Sequence, residues 1–215
     1  MSDSAAALAH QFDEPAQQYE AASLGMWVFL VTELMFFGGV FTLYTVYRAE
    51  YSEAFAQAAT HLSLLLGSIN TAILLTSSLT MAMAVRSAQL SRRTALIGFI
   101  VLTMVLGAIF LGIKFTEYAH KFAEGLVPGP HFTYAGPQPR QAQLFFSFYF
   151  AMTGLHALHM IVGLGLLGVL AFQAGRDRFG AVYHTPVDMT ALYWHFVDIV
   201  WMFLFPLLYL VNRHG

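Results

Sequence analysis

Tyr193-Trp194-His195-Phe196-Val197-Asp198-Ile199-Val200-Trp201 places an imidazole and a carboxyl inside an otherwise apolar span that ends near Val211. Wound as a helix, Trp194, Asp198, Trp201 and Phe205 recur at spacings of four, three and four and share one stripe, with His195 three residues before Asp198. An ionisable side chain at the centre of a bilayer costs about 2.5–3.5 kcal/mol on insertion scales, so Asp198 has to face protein, water or a neighbouring chain. The stripe, with Trp194 and Trp201 as its large packing residues, therefore reads as a packing and hydrogen-bonding face.

The composition around this stretch demands a membrane. Hydrophobic residues make up 58% of the 215 and charged residues 10%, with a mean hydropathy of +0.62, whereas about a quarter of a soluble domain is charged. The net charge of -2 and the absence of a Gly-rich phosphate loop argue against nucleic acid as a partner. No cysteine is present, which removes disulfides, thiolate-bound haem, iron–sulfur clusters and thiolate-bridged copper. Residues 1–21 are polar, with Asp3, Asp13, Glu14 and Glu20 but no Lys or Arg. They lack the basic start of a signal peptide and read as a retained, flexible N-terminal tail ahead of a membrane domain over 22–215.

Apolar runs long enough for about 20 residues of helix fall at roughly 22–47, 62–85, 94–117, 143–172 and 189–211. The fold expected is all-α, a polytopic bundle of five transmembrane helices. One side holds Arg86, Arg92, Arg93, Arg176 and Arg178, and the other Arg48, Lys121, Arg140 and Arg213. That bias favours the N-terminus inside and the C-terminus outside. The fourth run is the longest and has to tilt or project. The connection from Tyr118 to Gln141, with Pro128, Pro130, Pro137 and Pro139, reads as an outside loop because its prolines cannot continue a helix.

Each run carries polar residues. Glu33 sits about ten residues into the first, near mid-membrane, as a proton-relay carboxylate or one that fixes a helix contact. In the second, Gly67, Asn70, Leu74, Ser77 and Met81 form a stripe of small and amide residues suited to close helix packing and cross-helix hydrogen bonds. In the third, Lys114 can pair with Glu117 or snorkel to the interface. In the fourth, His156 and His159 share a face and with His195 could form a three-histidine metal site. A haem held across a bundle takes its histidines from different helices, which a spacing of three does not supply. The residues thus point to no catalytic, metal or cofactor ligand, and to an interior network in which His156 or His159 meets Glu33, and His195 meets Asp198 or a neighbour.

Taken in order, Thr32-Glu33 with Phe36-Phe37, Asn70 to Ser77-Ser78, Phe110-Leu111 leading to Glu117-Tyr118, Phe150-x-x-Thr153-Gly154-x-His156-x-x-His159, and the Tyr193 to Trp201 string resemble subunit III of the haem–copper oxidase superfamily. The resemblance covers about residues 22–211, one motif per run. It implies an accessory subunit without a redox centre, beside a catalytic subunit I that carries the haem and copper. It also implies other oxidase subunits, bound phospholipid, a role in sustaining proton uptake, and a bacterial inner membrane, with a larger respiratory assembly as a further setting. Glu33 matches the membrane carboxylate of the family, and Arg176 falls where a base lies near phospholipid head groups. The longer family members have two more helices at the front, and Lys114 replaces their usual glutamine.

Four rivals stand beside an accessory subunit of the cytochrome c oxidase type. Within the family they are subunit III of a quinol oxidase and the related protein of nitric oxide reductase. Outside it are a self-contained membrane haem or diiron protein and a transporter with Glu33 and Asp198 on an ion path, although five dissimilar runs lack the repeated halves common in transporters.

Overall fold

The computed structural model describes residues 11–210, and they form six helices: α1 Pro15–Glu50, α2 Ser52–Ala59, α3 Leu64–Gln89, α4 Arg93–Ala123, α5 Pro139–Gly175 and α6 Thr185–Tyr209. All but α2 are long and apolar enough to cross a membrane. Among the described residues there is no strand, only an isolated bridge between Gly180 and Tyr183. The expected tail lies partly outside the described residues. Its residues 15–21 are helical, because Pro15 at the first position pre-sets the helical φ.

The helices overrun their apolar windows. At 36 and 37 residues, α1 and α5 are about 55 Å long against a hydrocarbon core of about 30 Å, so both project or tilt. α4 continues to Ala123, past the expected start of the outside loop at Tyr118. Hydropathy marks where hydrocarbon ends, but helical hydrogen bonding persists in the interface, in α4 until Gly125 turns left-handed at φ +69°.

Helix α2 was hidden in the connection between the first two spans. It is too short to span and rich in alanine, yet Ala54, Phe55, Ala58 and Ala59 bury one face. That face packs on α5, with the Phe55 and Phe145 rings 5.5 Å apart.

α3, α4, α5 and α6 close into a ring in which α3 touches α4 and α6, and α5 touches the same two. α1 lies outside the ring on α6, with a smaller contact to α5. Trp194 fills the ring's centre because α4 and α5 both present glycine to it. A Cβ on Gly107 or Gly163 would fall 2.8 or 2.9 Å from the indole. Trp201 sits further out, edge-on to Phe110 at 4.8 Å. α1 is fastened by Tyr44, whose hydroxyl donates to the Leu207 carbonyl at 2.7 Å, and by Phe37 against Phe196.

One end of the bundle is latched by polar groups. Arg93 at the start of α4 donates to the Ala174 carbonyl (3.1 Å) and to that of Gly175, satisfying acceptors that the end of α5 leaves open. Ser91, at φ +53° in the α3–α4 turn, accepts from the Ala181 amide at 2.8 Å. The two turns on this side thereby form one unit.

The glycine contacts predict a position effect within one helix. Gly163→Val forces the Trp194 ring to move and should cost about 1–3 kcal/mol, as overpacking does. Gly165→Val, where a Cβ meets nothing within 4 Å, should leave the detergent melting temperature nearly unchanged. Equal effects in thermal unfolding would show that the Trp194 contact does not limit the bundle.

Candidate functional site: the intramembrane polar network

Polar side chains meet inside the bundle in three groups. The first joins α1, α5 and α6. Glu33 Oε2 lies 3.1 Å from His159 Nε2, His159 Nδ1 lies 2.8 Å from the Leu155 carbonyl, and the Tyr193 hydroxyl donates to the His159 carbonyl at 3.0 Å. A carbonyl only accepts, so Nδ1 carries a proton. The contact with Glu33 then holds one proton, on Nε2 or on the carboxyl, and either way the pair has no net charge. Of the two partners the sequence allowed Glu33, the structure takes His159.

His156 goes elsewhere. Its ring is sealed between Phe110 and Trp201, at 5.4 and 5.3 Å, and neither nitrogen has a hydrogen-bond partner. His195 turns toward α3, with Nδ1 2.7 Å from Ser78 Oγ. Among the described residues no group of three or more metal-ligating side chains converges, and the three histidines face three different neighbours.

The second group lines the α3–α4–α6 contact. Trp194 Nε1 donates to Ser77 Oγ at 3.0 Å and Trp201 Nε1 to Thr71 Oγ1 at 3.1 Å, while the Thr80 and Thr103 hydroxyls meet at 2.8 Å. Asn70, expected to bond across this stripe, is buried with its amide unpartnered. The indoles reach past it to the adjacent hydroxyls, so the cross-helix bonds belong to Ser77 and Thr71. Asp198 is buried beside Ser78, but the Ser78 hydrogen bond goes to His195 and neither Asp198 oxygen closes one.

The third group ties α4, α5 and α6 together toward the opposite end from the Arg93 latch. Lys114 Nζ donates to Glu117 Oε2 at 2.8 Å, to the Tyr209 hydroxyl at 2.9 Å and to the Tyr149 hydroxyl at 3.2 Å. The Tyr209 hydroxyl lies 2.9 and 2.8 Å from the two Glu117 oxygens. The ammonium also lies 5.2 Å from the Trp201 ring and 4.9 Å from that of Tyr149, within cation–π range. With side chains only 2% and 3% exposed, Lys114 and Glu117 pair and do not snorkel. The sequence reading missed Tyr149 and Tyr209, although Tyr209 extends the Trp201–Phe205 stripe by four residues.

Arg176 stands apart, its guanidinium stacked on the Phe172 ring at 4.2 Å and exposed at the latched end. A recess lined by His61, Glu124, Leu126, Thr133, Tyr134 and Ala135 opens at the other end and brings none of the predicted residues together.

Residues 11–212 match the family model for cytochrome c oxidase subunit III. The chain belongs to that family. Subunit 3 of cytochrome c oxidase from Thermostichus vulcanus is 32% identical over 191 residues, covering 88% of this chain and 87% of that one. Subunit 3 of the cytochrome bo(3) ubiquinol oxidase of Pseudomonas aeruginosa is 31% identical over 203 residues, covering 94% and 91%. A probable quinol oxidase subunit 3 from Staphylococcus haemolyticus is 28% identical over 202 residues, covering 93% and 94%. This subunit III is an integral membrane protein, and membership of the family implies association with other haem–copper oxidase subunits.

The third group predicts strong non-additivity. Lys114→Met alone leaves Glu117 uncompensated in a dry site and should cost about 3–5 kcal/mol, whereas Lys114→Met with Glu117→Leu should recover most of that loss. A double-mutant cycle of detergent stability showing additive losses would mean that the two side chains act independently.

Proposed function

We propose that this subunit III is a non-catalytic scaffold of a respiratory oxidase of the cytochrome c oxidase type in a bacterial inner membrane. In this reading it steadies the catalytic subunit, holds structural phospholipid and sustains proton uptake during turnover. The observation that carries it is the commitment of the polar groups. Glu33, His159, Lys114 and Glu117 are bound to one another or to tyrosines, and His156 is sealed by rings. Side chains so engaged fix helices in register. Arg176, exposed on its Phe172 platform, is the candidate for a lipid head group, and Trp194 and Trp201 provide the packing.

A quinol oxidase is the second reading, favoured by the named relatives from Pseudomonas aeruginosa and Staphylococcus haemolyticus. The donor is decided by the neighbouring chains, since cytochrome c oxidases carry a dinuclear copper domain in a separate subunit. The domain assignment is a tail over 1–21 and the subunit III domain over 22–215, oriented N-terminus inside from the arginine bias.

Gentle extraction followed by identification of the copurifying chains and their absorption spectrum tests the assignment. The haem bands should travel with a larger chain. Oxidase depleted of this subunit should keep its haem, take up protons more slowly and inactivate after fewer turnovers. Unchanged uptake and lifetime would overturn the scaffold role. For orientation, a chain without native cysteine accepts single reporters cleanly. An impermeant maleimide should label His131→Cys in intact cells and reach Arg92→Cys only after permeabilisation, and the reverse pattern would invert the topology.

A further inference from the structure

Two polar notches open at mid-depth on the bundle, and they differ in whether they are satisfied. In the Glu33–His159 notch each group meets the other, and His159 Nδ1 meets the Leu155 carbonyl. In the α3–α6 seam the match is incomplete. His195 Nδ1 is bonded to Ser78, but Nε2 of this partly buried ring makes no hydrogen bond, while the Asp198 carboxyl is sealed beneath the seam beside Ser78. Moving protons does not repair this. If the Ser78 hydroxyl donates to Nδ1, Nε2 carries a hydrogen in search of an acceptor. If Nδ1 donates, Nε2 is an acceptor in search of a donor.

Neither lipid nor water supplies that group. His195 lies ten residues into α6, about 15 Å of helical rise, which is half of a hydrocarbon core of about 30 Å. Acyl chains offer no donor or acceptor there, and an unmatched polar group in hydrocarbon is costly. The surface around the notch is apolar and open. Leu75 and Leu79 on α3 and Ile199 and Met202 on α6 are 48%, 63%, 51% and 49% exposed. Ala82, four residues after Ser78, is small enough for another helix to come close. α1 does not cover the seam, because it meets α6 through Tyr193, Phe196 and the Leu207 carbonyl on a different side.

We propose that the α3–α6 seam is the face on which the oxygen-reducing subunit docks. A transmembrane helix of that subunit carrying a hydroxyl or amide side chain at mid-depth closes on His195 and Ser78. A hydroxyl or amide both donates and accepts, so it completes the notch in either proton arrangement. The proposal rests on the reading of this chain as an oxidase scaffold.

A photo-crosslinking residue at Leu75 or Ile199 in the intact oxidase tests it, with Leu34 on α1 and Leu158 on α5 as comparison positions of similar exposure. The seam positions should crosslink chiefly to the catalytic subunit and the other two chiefly to lipid. Crosslinks to the catalytic subunit from Leu34 or Leu158 in place of the seam, or equal yields from all four, overturn the proposal while leaving the scaffold reading intact. A chain that copurifies with no oxidase subunit overturns both. His195→Leu should lower retention in the purified complex by about three- to twentyfold, the range for one interhelical hydrogen bond in a membrane. Ala82→Trp should lower it through a clash while the isolated bundle melts as the wild type does. Unchanged retention in both variants overturns the proposal.

Discussion

The buried Lys114–Glu117 contact is the interaction on which the far end of the bundle depends. A hydrocarbon medium offers no water to a stranded charge, so an ammonium there survives only if protein replaces its hydration. Here a carboxylate, two phenols and the faces of several aromatic rings do so together, drawn from α4, α5 and α6. Because no single helix can supply that shell, the charge makes the three helix ends mutually dependent. Arg93 does the same at the other end through the final carbonyls of α5.

Between those two ends the organisation is steric. Trp194 occupies space that Gly107 and Gly163 leave free, and its indole N–H then finds Ser77. Packing and hydrogen bonding thereby specify one register of α6 against α3, and the same register brings Ser78 to His195 and Thr71 to Trp201. Without a hydrophobic force between helices in lipid, this kind of close contact is what holds them together.

The five spans were legible because long apolar runs have few other meanings in a chain with so little charge. Their ends were less so: Pro15 and Pro139 start helices in polar sequence that hydropathy passes over, and α2 is too short and alanine-rich to register at all. Within the site, Glu33 was narrowed to two histidines and Lys114 to two fates, since helical spacing fixes which residues share a face. Spacing does not fix the rotation of one helix against another. That rotation separates His156 from His159, sends His195 to Ser78 instead of Asp198, and passes over Asn70 in favour of its neighbours. Tyr209 was within reach of the same spacing argument, but a tyrosine near a membrane boundary has the ordinary meaning of an interfacial anchor.

The placement of α1 bears on biogenesis. It is made before the other four described spans, yet it rests mainly on α6, made after them, and its acid is answered by a histidine 126 positions downstream. At translation rates of about 5–20 residues per second, that delay lasts roughly 6–25 seconds. During it the nascent helix waits in the bilayer or the insertion machinery with its carboxyl unanswered, so the earliest of these five spans is among the last to be seated.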